Sequence, residues 1–297
     1  MRVFVTGASG FIGSAVVPEL LDAGHEVVGL ARSDASAEAL AKAGAQVRRG
    51  DLEDLDSLRA GAADSDGVIH LAFIHDFTQY SRAAEIDLLA IETIGAELKG
   101  SDRPFVIASG TLGVAPGRLA TERDVPDATV SPRITAATTT LALAEQGVRS
   151  SVLRLAPSVH SELKTGFVGY LVDLARQKGV AGYVGDGANR WNAVHQLDAA
   201  RLFRLALEKA PAGSVLHGVG EEGVPLREVA EVIGRRLGVP TGSIAPEDAI
   251  EHFAWMGTFI GLDAPASNQL TRELLGWEPT HPTLLEDLEQ GHYFDTP

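Results

Sequence analysis

Apolar runs of strand length recur along the first half of the chain, and each is followed by a segment with helical spacing. Strands that alternate with helices in this way favour right-handed βαβ units and a parallel sheet. The pattern therefore predicts an α/β fold with a doubly wound parallel sheet, which binds ligands at the carboxyl ends of its strands. The predicted strands are Val3–Thr6, Val27–Ala31, Gln46–Arg49, Val68–Ala72, Phe105–Ser109 and Ser151–Leu155. The predicted helices between them are Phe11–Ala23, Ala35–Ala43, Leu55–Ala60, Ala83–Lys99 and Thr135–Gln146.

The alternation breaks after Leu155, where glycines that favour turns become frequent, among them Gly166, Gly169 and Gly179. We predict a dinucleotide-binding domain over residues 1–157, to which residues 193–217 return. Residues 158–192 and 218–297 are expected to form a smaller, mixed C-terminal lobe that binds the substrate. The later predicted elements are one strand, Val215–Val219, and the helices Leu197–Lys209, Leu226–Leu237, Pro246–Phe253 and Leu284–Gln290.

A glycine-rich turn, Thr6-Gly7-Ala8-Ser9-Gly10-Phe11-Ile12-Gly13, joins the first predicted strand to the first helix. Gly7 permits the tight turn, Gly10 lets the backbone approach a pyrophosphate, and Gly13 lets the helix pack closely on the strand. The N-terminus of the helix adds free N–H groups and a partial positive charge. The turn therefore predicts a dinucleotide site, at which Ser9, Phe11 and Ile12 also lie.

The end of the second predicted strand indicates which dinucleotide is bound. Arg32 follows Ala31, and its planar cation suits a ribose 2′-phosphate, to which Ser33 can also donate. This favours NADP(H) over NAD(H). The alternative is an Arg32 that is merely solvated, with Asp34 accepting from the ribose hydroxyls. After the third strand, Asp51-Leu52 can contact adenine, and Asp51 can equally cap the next helix; the two roles are compatible.

The composition of the chain excludes or disfavours several classes of function. The chain has 297 residues, no cysteine and a net charge of −15. Such an acidic surface disfavours nucleic-acid and anionic membrane partners, and the absence of cysteine excludes disulfides, thiolate metal sites and a cysteine nucleophile. The sequence has no tight cluster of histidines and acids, so we predict no metal site. The apolar strand begins at Val3, so we expect no signal peptide and a cytoplasmic protein that acts on a small molecule.

The motifs together resemble the extended short-chain dehydrogenase/reductase family, whose members include sugar-nucleotide epimerases and dehydratases with a Rossmann-type fold. The resemblance covers most of the chain. It implies that Leu71, Ala72 and Phe73 lie beside the cofactor, that Ser109 is the active-site serine, and that a homodimer forms through Ala83–Lys99 and Thr135–Gln146. The matching segments are Thr6–Gly13, Asp51-Leu52, His70-Leu71-Ala72, Ser109-Gly110-Thr111, Leu153–His160, Gly185–Trp191 and Val194–Asp198.

The sequence departs from this family at its Tyr-x-x-x-Lys pair, in which the tyrosine transfers the proton. None of the four tyrosines (Tyr80, Tyr170, Tyr183 and Tyr293) has a lysine four residues later. The expected place reads Ala128-Thr129-Val130-Ser131-Pro132-Arg133-Ile134-Thr135-Ala136-Ala137-Thr138. We therefore predict an atypical member of the family. Arg133 can hold a ribose or phosphate there, or form a surface ion pair, but it cannot act as an acid at neutral pH.

Other side chains are candidates for the chemistry. Ser109 and Thr111 can orient a polar substrate group, or simply satisfy nearby backbone groups. His160 is expected near the nicotinamide, and His75 and His195 also titrate near neutrality. His195 and Asp198 are spaced to face each other on one helical turn, a pairing that also caps helices. Seven aromatic residues can line an apolar pocket or belong to the core: Phe73, Phe77, Phe167, Tyr170, Trp191, Trp255 and Phe259.

These observations predict an NADP(H)-dependent reductase that acts on a C=N or C=O bond of a small apolar or aromatic substrate. Reduction of an iminium needs no separate acid, because the iminium is already protonated. Two alternatives stay open. One is a non-catalytic NADP(H)-binding redox sensor, and the other is a non-redox epimerase or lyase on the same fold.

Overall fold

The computed structural model describes residues 1–75, 79–127 and 131–295. Its strands are β1 (Arg2–Thr6), β2 (Glu26–Ala31), β3 (Gln46–Arg49), β4 (Gly67–His70), β5 (Pro104–Gly110), β6 (Arg149–Leu155), β7 (Ser158–His160), β8 (Ala181–Val184), β9 (Arg190–His195), β10 (Ser214–Gly218), β11 (Glu221–Pro225) and β12 (Thr241–Ile244). Its α-helices are α1 (Gly13–Asp22), α2 (Asp34–Lys42), α3 (Leu55–Ala63), α4 (Tyr80–Leu98), α5 (Arg133–Ala142), α6 (Gly166–Lys178), α7 (Gln196–Lys209), α8 (Leu226–Leu237), α9 (Ala249–Phe253), α10 (Gln269–Leu275) and α11 (Leu284–Gln290).

Seven parallel strands form the main sheet in the order β10-β6-β5-β4-β1-β2-β3. The order reverses between β1 and β4, which creates the crevice in which doubly wound sheets bind their ligands. The predicted parallel α/β fold is thus confirmed. The other strands form a three-stranded sheet, β11-β9-β7, and a two-stranded sheet, β12-β8.

Period-2 alternation along β1 explains why helices cover both faces of the main sheet. Val3 and Val5 pack in one buried cluster with residues of α1 and α7. Phe4, between them, packs in a second buried cluster with residues of α3 and α4. A third cluster joins α6, α8 and β9 and lies outside the main sheet. The segment 193–217 supplies β10 to the main sheet and helix α7, which packs against that sheet. The division into domains stays a prediction.

The region after Leu155 contains more regular structure than its glycines suggest. We predicted turns around Gly166 and Gly169, but α6 runs from Gly166 to Lys178. Gly166 has a φ of 67° and starts the helix, and Gly179 ends it with a φ of 70°. The strand predicted at Val68–Ala72 ends earlier, at His70. No helix in the described part of the chain is long and apolar enough to cross a bilayer.

Candidate dinucleotide and substrate site

The glycine-rich turn lies at the carboxyl end of β1, and two of its glycines are required by close contacts. Gly7 has a φ of 66°, and a Cβ atom there would lie 2.6 Å from the backbone nitrogen of Ala72. A Cβ atom on Gly13 would lie 2.2 Å from the Gly7 carbonyl oxygen. For a Cβ atom on Gly10, by contrast, the only atom of the described residues within 4 Å, chain neighbours aside, is that same carbonyl oxygen, at 3.2 Å. The open side at Gly10 suits the approach of a phosphate.

Neighbouring segments hold the turn in place. The Leu71 N–H donates to the Thr6 carbonyl (3.2 Å), and the Ala72 N–H donates to Thr6 Oγ1 (3.3 Å). From the other side, the Gln196 side-chain amide donates to the Phe11 carbonyl. Because Gln196 begins α7, this bond ties the turn to a helix 185 residues away in the sequence. Ser9 and Gly10 remain exposed.

The adjacent carboxyl ends of β2 and β3 present two arginines and one acid. Arg32 is exposed and forms no ion pair within the described residues. The Ser33 hydroxyl accepts from the Ser36 N–H (3.2 Å) and caps α2. Asp34, the alternative ribose acceptor, forms an ion pair with Arg49, which ends β3 beside Ala31. Arg49 is a residue that the sequence reasoning missed.

The Asp51 side chain accepts hydrogen bonds in the turn just before α3. Its Oδ1 atom accepts from the N–H groups of Glu53 (2.9 Å) and Asp54 (3.0 Å). The N-cap of α3 itself is Asp54, whose carboxylate accepts from the Ser57 N–H. Leu52 is buried next to Asp51. The predicted helix cap at Asp51 is therefore wrong, because Asp54 takes that role and Asp51 binds the turn before the helix. Contact of Asp51 with adenine stays a prediction.

A chain of buried polar groups runs from the turn to the start of α5. His70 Nε2 lies 3.1 Å from Asp87 Oδ1, and His70 Nδ1 lies 2.9 Å from Thr6 Oγ1. A neutral His70 that donates to Asp87 accepts from the Thr6 hydroxyl. The other oxygen of Asp87 lies 3.7 Å from Nε of Arg133. The sequence reasoning missed Asp87, although a carboxylate on the apolar face of α4 is a recognisable signal.

Arg133 occupies the place where the family's Tyr-x-x-x-Lys pair was expected. Its Nη2 atom donates to the Ala108 carbonyl (2.9 Å), and its guanidinium lies 4.2 Å from the ring centroid of Phe73. The ring of His75 meets Phe73 edge-on at 5.5 Å. Partial desolvation, and then the positive charge of Arg133, lower the pKa of His75. Arg133 is thus a fixed cation beside the end of β5.

The two predicted hydroxyls differ in what surrounds them. Ser109 lies near the end of β5, partly exposed, and directly follows the Ala108 carbonyl that Arg133 binds. Thr111 is buried, and its hydroxyl donates to Asn192 Oδ1 (3.0 Å), with the Leu155 carbonyl at 3.2 Å. Asn192 in turn donates to the Ala264 carbonyl (2.8 Å). The geometry favours Ser109 over Thr111 as a group that can reach a substrate.

His160 is buried beneath α11 and is oriented by an acid from that helix. Its Nδ1 atom lies 2.5 Å from Asp287 Oδ2, and its Nε2 atom is 4.0 Å from Glu221 Oε2. Burial raises the pKa of Glu221. Only 1% of the His160 side chain is exposed, so the ring has no open path to a nicotinamide in this conformation. The catalytic role of His160 stays a prediction that its burial does not favour.

His195 and Asp198 do not face each other as their spacing suggested. Nδ1 of His195 accepts from the Leu197 N–H (3.2 Å) and caps α7, while its ring stacks on His281 at 4.7 Å. Asp198 accepts instead from the backbone N–H groups of Thr280 (3.0 Å) and His281 (2.9 Å). The long-range contacts with the 280–281 segment take precedence over the local pair. Within the described ranges, no three His, Cys, Asp or Glu side chains cluster as metal ligands.

Five of the seven predicted aromatic residues form one cluster. The Phe167 ring lies within 6 Å of three other rings: Trp191 at 5.9 Å, Trp255 at 5.7 Å and Phe259 at 5.7 Å. Tyr170 joins through Trp255 at 5.2 Å. Phe73 is not part of this group and packs under the Arg133 guanidinium, and Phe77 lies outside the described residues. We call Phe167, Tyr170, Trp191, Trp255 and Phe259 the aromatic cluster.

The aromatic cluster lies beyond the carboxyl end of β5. Leu112, three residues after Ser109, packs against the same buried cluster as these rings. Trp191 is buried and donates through Nε1 to the Leu262 carbonyl (3.2 Å), whereas Phe167, Tyr170, Trp255 and Phe259 stay partly exposed. Parallel strands end at one edge of a sheet, so the glycine-rich turn and Leu112 lie on the same edge.

The seven-stranded parallel sheet and its glycine-rich turn define a Rossmann-type α/β protein of the short-chain dehydrogenase/reductase kind. The family model described as the NAD dependent epimerase/dehydratase family matches residues 3–217. The chain belongs to this family. A dTDP-glucose 4,6-dehydratase from Streptomyces venezuelae, solved with NAD bound, superposes with a TM-score of 0.77 at 21% identity, covering 98% of this chain and 96% of that one.

Relatives by sequence include both near and distant proteins. An uncharacterized protein of Schizosaccharomyces pombe is 50% identical over 99% of this chain and 100% of its own length. Another, of Saccharomyces cerevisiae, is 47% identical over 98% of this chain and 99% of its own length. A 2'-dehydrokanamycin reductase of Streptomyces kanamyceticus is 30% identical over 82% of this chain and 69% of its own length. The relatives thus extend to a named reductase.

Proposed function

We propose that the protein is an NADP(H)-dependent reductase that acts on the C=O or C=N bond of a bulky apolar or aromatic substrate. The main support is the aromatic cluster, which belongs to the same hydrophobic cluster as Leu112, a residue that shortly follows β5 at the end of the sheet that carries the glycine-rich turn. Partly exposed aromatic rings with few polar groups favour an apolar ligand. The similarity to a reductase supports reduction as the direction of the chemistry.

The preference for NADP(H) rests on the end of β2. Arg32 is exposed directly after β2, Ser33 follows it, and Arg49 ends the neighbouring strand. Asp34, which would favour NAD(H), pairs with Arg49. Two guanidinium groups and a hydroxyl are a suitable set of donors for a 2′-phosphate.

A titration of the four nucleotides tests this preference. We expect NADPH or NADP⁺ to bind most tightly, and Arg32→Ala to weaken that binding by about 1–3 kcal/mol with little change for NADH. Arg59→Ala is the matched control, because Arg59 is an exposed arginine of α3 that pairs only locally with Asp56. Unchanged NADPH binding by Arg32→Ala would show that Arg32 does not hold a 2′-phosphate.

A turnover assay tests the reaction. The protein would be incubated with NADPH and a panel of aromatic ketones and cyclic imines, and the loss of absorbance at the nicotinamide band followed. We expect oxidation of NADPH with a member of the panel. Tight binding of one redox form without turnover would favour a redox sensor instead, and product formation without net oxidation would favour an epimerase or lyase.

We include a homodimer in this proposal. Helices α4 and α5 pack side by side, and Leu89 of α4 is 49% exposed. Light scattering at several protein concentrations tests the oligomeric state, and a monomer at all of them would contradict this part.

A further inference from the structure

Reduction of a ketone needs a proton donor, because negative charge develops on the carbonyl oxygen as hydride adds to carbon. Arg133 cannot supply the proton at neutral pH. Ser109 is a poor acid by itself. The donor must therefore come from a residue that the tertiary structure brings to the ends of β4 and β5, near the Arg133 guanidinium that binds the Ala108 carbonyl.

Three of the four tyrosines make contacts with residues other than Arg133 and its neighbours. Tyr293 is buried and donates no proton readily, since burial raises its pKa to about 12. Tyr170 donates to the Phe253 carbonyl (3.2 Å) within the aromatic cluster. Tyr183 lies on β8, with the guanidinium of Arg227 5.6 Å from its ring centroid. Tyr80, the first residue of α4, is the tyrosine that remains.

Tyr80 contacts the residues that surround Arg133. Its ring centroid lies 5.9 Å from that of Phe73, and the Arg133 guanidinium lies over the same Phe73 ring. Its hydroxyl lies 3.1 Å from the Ser131 hydroxyl, and Ser131 Oγ accepts from the Arg133 N–H (3.4 Å). Tyr80 is partly exposed. A phenol, a hydroxyl and a fixed cation thus share one small region.

We propose that Tyr80, presented by α4 and hydrogen-bonded to Ser131, is the proton donor for carbonyl reduction at this site. This inference rests on the proposed reductase function. Hydride leaves C4 of NADPH and forms the new C–H bond, the carbonyl π pair moves to oxygen, and that oxygen takes the Tyr80 proton. The phenolate recovers a proton from solvent through the Ser131 hydroxyl. Arg133 is a positioning residue, whose positive charge favours the transient phenolate.

His75 is the competing donor, because its ring also contacts Phe73. Its lowered pKa leaves it mostly neutral at pH 7, and a neutral imidazole is a weak acid. An ordinary phenol keeps its proton throughout the neutral range. The two donors therefore predict different pH profiles: a phenol loses activity only on the alkaline side, whereas an imidazole loses it near neutrality.

The test uses the full-length protein, NADPH and the ketone and imine panel described above. We expect Tyr80→Phe to lower kcat for ketones by about 10²- to 10⁴-fold. Its NADPH affinity should stay within about twofold of wild type, because removing the phenol oxygen leaves the nucleotide contacts in place. Reduction of iminium substrates should be nearly unaffected, since they arrive protonated. Ser131→Ala should lower ketone turnover by about fivefold, and His75→Gln should have little effect.

Tyr183→Phe is the matched control, as it removes the phenol oxygen of a tyrosine on β8 whose ring lies under Arg227, and it should retain wild-type turnover. Full ketone turnover by Tyr80→Phe overturns the inference, and so does a wild type that reduces imines but no ketone; both leave the proposed function standing. If the wild type oxidises NADPH with none of the ketones or imines of the panel, the proposed function is contradicted, and this inference with it. A thermal melt of Tyr80→Phe establishes that the variant is folded.

Discussion

The nucleotide side and the substrate side of the molecule are built in different ways. At the glycine-rich turn, the whole motif lies within eight residues, from Thr6 to Gly13, and the contact of Gly13 with the Gly7 carbonyl is local, although Ala72 also packs against Gly7. On the substrate side, the contacts join distant segments: His160 meets Asp287 across 127 residues, and Thr111 meets Asn192 across 81. A local motif can be recognised from sequence, whereas a long-range contact depends on how the chain packs.

The largest expected effect is on the nucleotide side. Gly13→Ala places a Cβ atom 2.2 Å from the Gly7 carbonyl oxygen, and this contact can be relieved only by moving the backbone. We expect a loss of about 3 kcal/mol in the free energy of unfolding, together with loss of nucleotide binding. Urea denaturation measures the first and a nucleotide titration the second.

Gly110→Ala is the control for this prediction. Among the described residues, no atom outside its chain neighbours lies within 4 Å of the place that the new methyl group would take, and its φ is not positive. The change should cost less than about 1 kcal/mol. Equal losses for the two variants would contradict the claim that the turn is set by close contact.

The next effect concerns a long-range contact on the substrate side. Asp287→Ala removes the acceptor of the buried His160 ring and leaves its Nδ1 without a partner. We expect a loss of about 2–3 kcal/mol in the free energy of unfolding, without a change in nucleotide affinity. Glu289→Ala, an exposed change on the same helix, should stay within about 0.5 kcal/mol. A change in NADPH affinity in Asp287→Ala would mean that the two sides are coupled.

A third effect should be confined to the substrate. Phe167→Ala opens a gap among Trp191, Trp255 and Phe259. We expect KM for an aromatic substrate to rise about tenfold, which corresponds to about 1.4 kcal/mol, while NADPH affinity is retained. Phe294→Ala removes a partly exposed ring outside the aromatic cluster and should leave KM unchanged. An unchanged KM in Phe167→Ala would show that the aromatic cluster does not bind the substrate.

The smallest effect is a dependence of stability on pH. Burial, and then the positive charge of Arg154, lower the pKa of His217, whose Nδ1 donates to the Ser267 carbonyl (2.8 Å). Burial likewise lowers the pKa of His195. Below about pH 6.5 the unfolded chain binds protons that the folded chain binds less readily, so the free energy of unfolding falls as pH falls. Each unit by which the pKa of a histidine is lower in the folded than in the unfolded chain can remove at most about 1.4 kcal/mol from the free energy of unfolding.

Urea midpoints measured between pH 7.5 and 5.5 check the sign, since ordinary carboxylates titrate below this window. His217→Gln and His195→Gln should each reduce the slope. Stability that rises as the solution is acidified would contradict the assignment of lowered pKa values to these histidines.

The sequence by itself determined the parallel sheet and the glycine-rich turn. Short apolar strands, helical spacing and Gly7, Gly10 and Gly13 act over a few residues, so their consequences follow from local sterics. Local reasoning was wrong at α6, because Gly166 and Gly169 read as turn residues. In the structure they start and pack a helix whose Val168 and Val172 are buried. Tertiary burial overrode the weak local preference of glycine.

Only the tertiary structure decided which side chains meet at the candidate site. It placed Arg133 between Asp87 and the Ala108 carbonyl, buried His160 against Asp287, and gathered five aromatic residues beyond β5. It also brought Tyr80 to Ser131, although no lysine spacing marks that tyrosine in the sequence. Side-chain chemistry across a sheet edge depends on which strands end together, and that order is a property of the packed chain.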